Sequence, residues 1–180
     1  ALLLGRSIPA QALAALAEAF ADRVVAGNVR PGARARIRRD RADGYRVVLA
    51  TAAHRFYAEA IARRLGIADV VATAASARGE MLLHRLDGPN LYGSAKLAAV
   101  QDWLAASGAP PGARMIRFYT DHVSDTPLLE LADEPFAINP HGRLRRLAMA
   151  RGWPILDWNA ADQQDGVEDA TDMERLSCAQ

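Results

Sequence analysis

Met115-Ile-Arg-Phe-Tyr-Thr-Asp-His-Val-Ser-Asp-Thr-Pro-Leu-Leu-Glu-Leu131 is the stretch whose reading decides the fold. A β-rich run, Met115 to Tyr119, ends in two aspartates four residues apart, Asp121 and Asp125. Pro127 then opens an apolar helical stretch through Leu128, Leu129 and Leu131. Carboxylates at the carboxyl end of a buried strand, on the loop into a helix, stand where open α/β sheets place their ligand sites. Hard oxygen ligands of this kind suit magnesium rather than zinc.

Working outward, strands alternate with helices. Upstream, Ser7 is a candidate helix cap with Pro9 in the first turn. Leu13, Leu16, Phe20 and Val24 follow at helical spacing, and Gly27 is a stop. Residues 33–43 are arginine-rich with a thin apolar face of Ala33 and Ile37. A short buried strand runs from Tyr45 to Ala50, and the loop Thr51–Arg55 leads into a helix with Ala58, Ile61 and Leu65 inward, ended by Gly66. Val70 to Thr73 is a second strand. Residues 74–93 follow neither period, and a hairpin is one option. A helix from Ser94 places Leu97, Val100 and Leu104 on one face, and Ser107 to Gly112 is a turn cluster. After the decisive stretch come a strand at Phe136–Ile138, a helix from Gly142 to Arg151 stopped by Gly152, and an edge strand at Pro154–Leu156. The alternation predicts an α/β domain with a doubly wound parallel sheet.

The bulk numbers fit one globular domain. The chain has 180 residues, 51% of them hydrophobic, which suffices for a core. A net charge of +1 selects neither nucleic acid nor an anionic membrane. The seven arginines from Arg30 to Arg46 lack interleaved aromatics and read as a solvated face rather than a nucleic-acid site. No apolar run approaches the ~20 residues of a membrane span. The single cysteine, Cys178, rules out an internal disulfide framework and favours a reduced, cytoplasmic setting. Residues 157–180 hold seven acids against Arg175 alone, the composition of a disordered tail.

Three polar elements follow in order along the chain. Thr51 ends one strand, Lys96 (the only lysine) opens a helix, and Asp121 and Asp125 close another strand. In a parallel sheet all strand carboxyl ends share one edge, so these groups can converge on a phosphoryl group. The Thr51 hydroxyl and the following backbone N–H of Ala52 can donate to phosphate oxygens, and Lys96 can neutralise charge. Asp121 can bind magnesium directly. Asp125 can hold a magnesium-bound water, contact the metal or fix Lys96. Asp125 is equally a plain helix cap before Pro127. His54, His84, His122 and His141 lack metal-ligand spacing. His54 and His122 lie close enough to these motifs to touch substrate, though a loop histidine in water is the plain alternative.

The ordered set resembles the haloacid-dehalogenase-like hydrolases, in the phosphoserine-phosphatase-like branch. Gly44-Tyr-Arg-Val-Val-Leu-Ala-Thr51 is similar to the second family motif, Asn90-Leu-Tyr-Gly-Ser-Ala-Lys96 to the third, and Tyr119 to Leu129 to the fourth. Ala137-Ile-Asn-Pro140 and Arg151-Gly-Trp-Pro-Ile-Leu156 follow as in relatives. The resemblance implies a magnesium-dependent phosphatase acting on a small phosphorylated metabolite, phosphoserine being one candidate, through an aspartyl-phosphate. It also implies that Ser124 stands at a phosphate-contact position where many relatives carry Asn.

The same resemblance exposes a gap. The family nucleophile lies in an Asp-x-Asp-x-Thr motif ending a central first strand, and no aspartate here is followed two residues later by another. The expectation is therefore a chain truncated at its amino end. Residues 1–30 would be a remnant of a helical cap, 31–157 the α/β core without its central strand, and 158–180 a tail. Leu2–Leu4 is a lesser candidate for the absent strand, and a second copy of the chain is a candidate cover for the exposed sheet centre. If the chain is complete as it stands, the alternative is a non-catalytic phosphate- or partner-binding protein.

Overall fold

Val47-Val48-Leu49 is β-branched and apolar, and it seeds the first long strand. A computed structural model describes residues 7–108 and 114–159. The elements in chain order are β1 (Ile8–Pro9), α1 (Ala10–Gly27), α2 (Pro31–Ala42), β2 (Val48–His54), α3 (Arg55–Arg64), β3 (Asp69–Thr73), β4 (Ala75–Arg78), β5 (Met81–Leu86) and α4 (Ser94–Ala106). They continue with β6 (Arg117–Thr120), a 3-10 turn (Val123–Asp125), α5 (Thr126–Leu131), β7 (Glu134–Ile138), α6 (Gly142–Arg151) and β8 (Ile155–Leu156). The α/β reading holds, and the parallel strands fall into two blocks. β2 pairs with β3, with Val48 opposite Asp69 and Thr51 opposite Ala72. β6 pairs with β7 and β7 with β8, again in parallel. Among the described residues no strand joins β2 to β6, so each keeps one unpaired edge.

Side chains unite what the ladder leaves apart. One core cluster of Val71, Leu91, Val100 and Leu128 takes in Val48 and Ala50 from β2, Phe118 from β6, and Leu97, Trp103 and Leu104 from α4. A second cluster of Leu129, Ala137, Leu144 and Ala148 locks α5 and α6 onto β7. On the opposite flank α1 lies along α3, where Ala17, Ala21 and Ala60 are buried together. Small side chains permit that close approach, and Arg64 adds bonds to Glu18 at 2.7 Å and Asp22 at 2.6 Å. α2 continues from α1 to the other block: Asp40 bonds Arg117 at 2.7 Å and the Tyr119 hydroxyl at 2.9 Å. The α1–α2 pair thus straps the two blocks across the open edges.

Several sequence expectations need correction. Ser7 does not cap the first helix; Pro9 occupies the N-cap position without a side-chain cap, because Ile8 and Pro9 pair with β5 as a short antiparallel strand. Residues 74–93 contain the β4–β5 hairpin. The strand expected at Tyr45–Ala50 begins at Val48 and runs on to His54, where pairing with Thr73 extends it past an irregularity. Met115 is 58% exposed and lies outside β6. The arginine-rich helix is not simply a solvated face: Arg36 is buried and Arg41 donates to the Gly66 carbonyl. Leu2–Leu4, Gly112 and the tail beyond residue 159 lie outside the described residues. Trp158 and Asn159 are docked, since Trp158 N–H donates to Asn139 Oδ1 at 3.0 Å and Gly32 N–H donates to the Trp158 carbonyl. A Cβ added at Gly32 would lie 2.7 Å from Trp158 Cα, so this docking needs glycine there. Among the described residues no helix is long and apolar enough to cross a membrane.

Candidate active site

A cleft of about 490 Å³ opens at the carboxyl ends of the strands. Its walls include Ala50, Thr51 and Ala52 from β2, Phe118, Tyr119 and Thr120 from β6, the loop residues Asp121, His122, Ser124 and Asp125, and Lys96 from α4. Thr51, Ala52, Lys96, Asp121, Ser124 and Asp125 therefore reach one cavity, as does His122, whereas His54 does not line it. Parallel pairing within each block aims the strand ends the same way. The shared core cluster beneath α4 brings the blocks together.

Lys96 and Asp125 form its buried anchor. Lys96 Nζ donates to Asp125 Oδ1 at 2.6 Å, and the two residues are only 7% and 6% exposed. The other Asp125 oxygen accepts from the Thr120 hydroxyl at 2.9 Å, and Thr120 Oγ1 in turn accepts the His122 backbone N–H at 3.1 Å. Both carboxylate oxygens are thus engaged, which offsets the cost of taking the charges out of water. The cap role does not apply to Asp125: its side chain makes no capping bond to α5. Asp121 differs in kind, being exposed and without a side-chain partner among the described residues.

On the β2 side, Thr51 Oγ1 accepts the Ala53 backbone N–H at 3.1 Å, which leaves the hydroxyl proton free to donate into the cleft. The Ala52 carbonyl accepts from the buried Thr73 hydroxyl at 3.0 Å. Thr73 Oγ1 also accepts the Leu91 backbone N–H at 3.0 Å and lies 3.2 Å from Asn90 Oδ1. One threonine therefore ties the end of β2 to the segment that leads into α4 and Lys96. The sequence assigns no site role to Thr73, and it marks Asn90 and Thr120 only as parts of the motifs around Lys96 and Asp121. The available signal was a polar residue closing an apolar strand, Val70-Val71-Ala72-Thr73, where burial demands a partner. Ser124 is reached by the cleft, but its hydroxyl lies 2.8 Å from His122 Nδ1.

The cleft floor is braced by a charged network. Arg36 donates to the Tyr119 hydroxyl, and its guanidinium lies 5.3 Å from the Tyr119 and Phe136 ring centres. Burial pushes the Tyr119 phenol above its ordinary range, with Arg36 opposing the shift and Asp40 adding to it. Arg117 bonds Glu134 as well as Asp40, and these carboxylates hold its pKa above the ordinary value although burial works the other way. Where β7 and β8 end, the Asn159 backbone N–H and the Asn139 amide hold the Asp157 carboxyl below the usual carboxylate range. Asn139 is the one described non-glycine residue with positive φ, 43°, a conformation asparagine tolerates.

Magnesium fits the donor set as an open half-site. Asp121 offers one uncommitted hard oxygen ligand, and magnesium takes one or two carboxylates with water and phosphate completing its shell. Among the described residues no three His, Cys, Asp or Glu side chains converge to hold a metal without such help.

Comparison with known proteins matches this architecture. Residues 2–130 match the model of the haloacid dehalogenase-like hydrolase family. Phosphoserine phosphatase SerB1 of Mycobacterium tuberculosis is 35% identical over 161 residues, covering 89% of this chain and 51% of that protein. A histidinol-phosphatase of Neisseria meningitidis is 27% identical over 118 residues, covering 64% of this chain and 53% of that protein. A crystal structure of a protein of unknown function from Bordetella pertussis superposes with a TM-score of 0.79 at 34% identity, covering 87% of this chain and 70% of that one. The chain spans about half the length of the curated relatives it matches. With a matching family model over most of its length and the motif residues gathered in one cleft, the chain belongs to the haloacid dehalogenase-like hydrolases.

Proposed function

We propose that this chain forms the phosphate- and magnesium-handling part of a phosphatase acting on a small phosphomonoester in the cytoplasm. The observation that carries the reading is the Asp121 carboxylate, unpartnered among the described residues, in the same cleft as the buried Lys96–Asp125 pair and the Thr51 hydroxyl. Thr51 and the Ala52 N–H donate to phosphate oxygens. Lys96, held by Asp125, offsets charge on the transferring group. Asp121 holds magnesium, which neutralises phosphoryl charge when bound. Ser124 serves mainly by fixing the loop. Names of relatives support the substrate class, one being a phosphoserine phosphatase and another a histidinol-phosphatase.

The nucleophile is the missing part. A carboxylate that attacks phosphorus, expels the alkoxide and is then freed by water would give an aspartyl-phosphate route. We infer that it arrives on an extended segment from outside these 180 residues, lying between β2 and β6. Two unpaired strand edges bordering one cleft support this, because such edges accept a strand. The test uses the full-length gene product with a generic phosphomonoester and magnesium. Turnover should require the metal, and turnover persisting in excess chelator would overturn the reading. For the 180 residues alone a binding-only role is the second reading. It is favoured by Asp121 being the one cleft-lining carboxylate with no partner among the described residues.

A further inference from the structure

The phosphate chemistry gives no role to Tyr92. Tyr92 lines the cleft yet is 56% exposed, more than any other described Phe, Tyr or Trp. Its hydroxyl has no partner among the described residues. Backbone bonds fix the residue: its N–H donates to the Asn90 carbonyl at 2.8 Å, and its carbonyl accepts from Ala95 N–H at 3.3 Å. The neighbouring ring is His122, with centroids 5.9 Å apart and planes at 60°. That ring is also held. Nδ1 accepts the Ser124 backbone N–H at 3.2 Å, and the Ser124 hydroxyl donates to the same nitrogen. In the neutral imidazole the proton therefore sits on Nε2 and remains available as a donor.

We propose that Tyr92 and His122 are the leaving-group subsite of this cleft, and that the substrate is a phosphomonoester whose alcohol part carries a planar ring. Two rings with centroids 5.9 Å apart and planes at 60° make a corner in which a third stacks on one and presents its edge to the other. An apolar face left in water beside a polar cleft favours a ligand that covers it. The proposal rests on the phosphatase reading and narrows its substrate.

The test compares 2-phenylethyl phosphate with n-propyl phosphate on the full-length gene product. Both leave as primary alkoxides, so the ratio of their kcat/KM values reads ring recognition rather than leaving-group chemistry. The wild type should favour the phenylethyl ester about tenfold, the size of one aromatic contact. Y92A and Y92L should bring the ratio near one, Y92L guarding against a simple loss of bulk, and Y92F should restore it. A wild-type ratio near one, or a ratio unmoved in Y92A and Y92L, would overturn the subsite. Failure to turn over either ester would instead sink the phosphatase reading, and the subsite with it.

Discussion

The strands that carry the site, β2 and β6, are wetter than the strands one place further out. All seven residues of β2 are partly exposed, and Thr120 alone is buried in β6. β3 and β7 each bury their last three residues, Val71–Thr73 and Phe136–Ile138. Parallel sheets covered on both faces normally bury their inner strands most. The inversion places the deficit along two unpaired edges, where backbone N–H and C=O groups want partners. It also separates duties: the outer strands and their helices hold the fold, while the inner edges hold the chemistry.

Four perturbations probe that separation. The largest effect is expected at Asp121, on the loop leaving an inner strand. D121A should lower turnover of the full-length protein about 10²–10³-fold, the range for losing one preorganised electrostatic contact. Its thermal midpoint should stay in place, because the carboxylate is exposed and unpaired. A large fall in that midpoint would mean that Asp121 belongs to the scaffold. Next comes the buried pair. K96A strands Asp125 as an uncompensated charge and should cost about 3–5 kcal/mol in urea unfolding. Replacing both partners with apolar residues should recover much of that stability while activity stays lost.

Hydrogen exchange sharpens the contrast without mutation. On the 180-residue chain, amides of β2 and β6 should exchange at least about tenfold faster than those of β3 and β7, since local opening follows exposure. Equal protection would mean that the two edges are satisfied after all. The smallest effect concerns the brace beneath β6. Burial raises the Tyr119 phenol above its ordinary value of 10.0. The unfolded chain therefore gives up this proton first. The stability Tyr119 lends is fully present below pH 10 and declines as pH rises beyond it. Y119F should remove that alkaline decline, and an unchanged slope would show that another group causes it.

Legibility in the sequence followed the range of the interactions. The helix Gly142–Arg151 was readable because its stop is local: Gly152 adopts φ 68°, which glycine accepts freely. The strand before Asp121 was placed, but its start slipped from Met115 to Arg117, because burial of a single side chain is not a local property. Ser7 has the chemistry of a cap, yet pairing of Ile8 with Leu82 claimed the preceding backbone. Arg36 reads as solvated in a run of arginines. The approach of Tyr119, Phe136 and Asp40 helps make its burial tolerable.

By itself the sequence determined which residue types stand at the strand ends and in what order along the chain, since strand ends, helix starts and turn residues are written locally. Tertiary structure alone decided that Asp125 spends both oxygens on Lys96 and Thr120, that Asp121 finds no partner among the described residues, and that Thr73 joins two sides of the site. It also decided that β2 and β6 stay apart while sharing one core cluster. Those outcomes depend on partners tens of residues distant, whose approach is set by packing of the whole core rather than by any local preference.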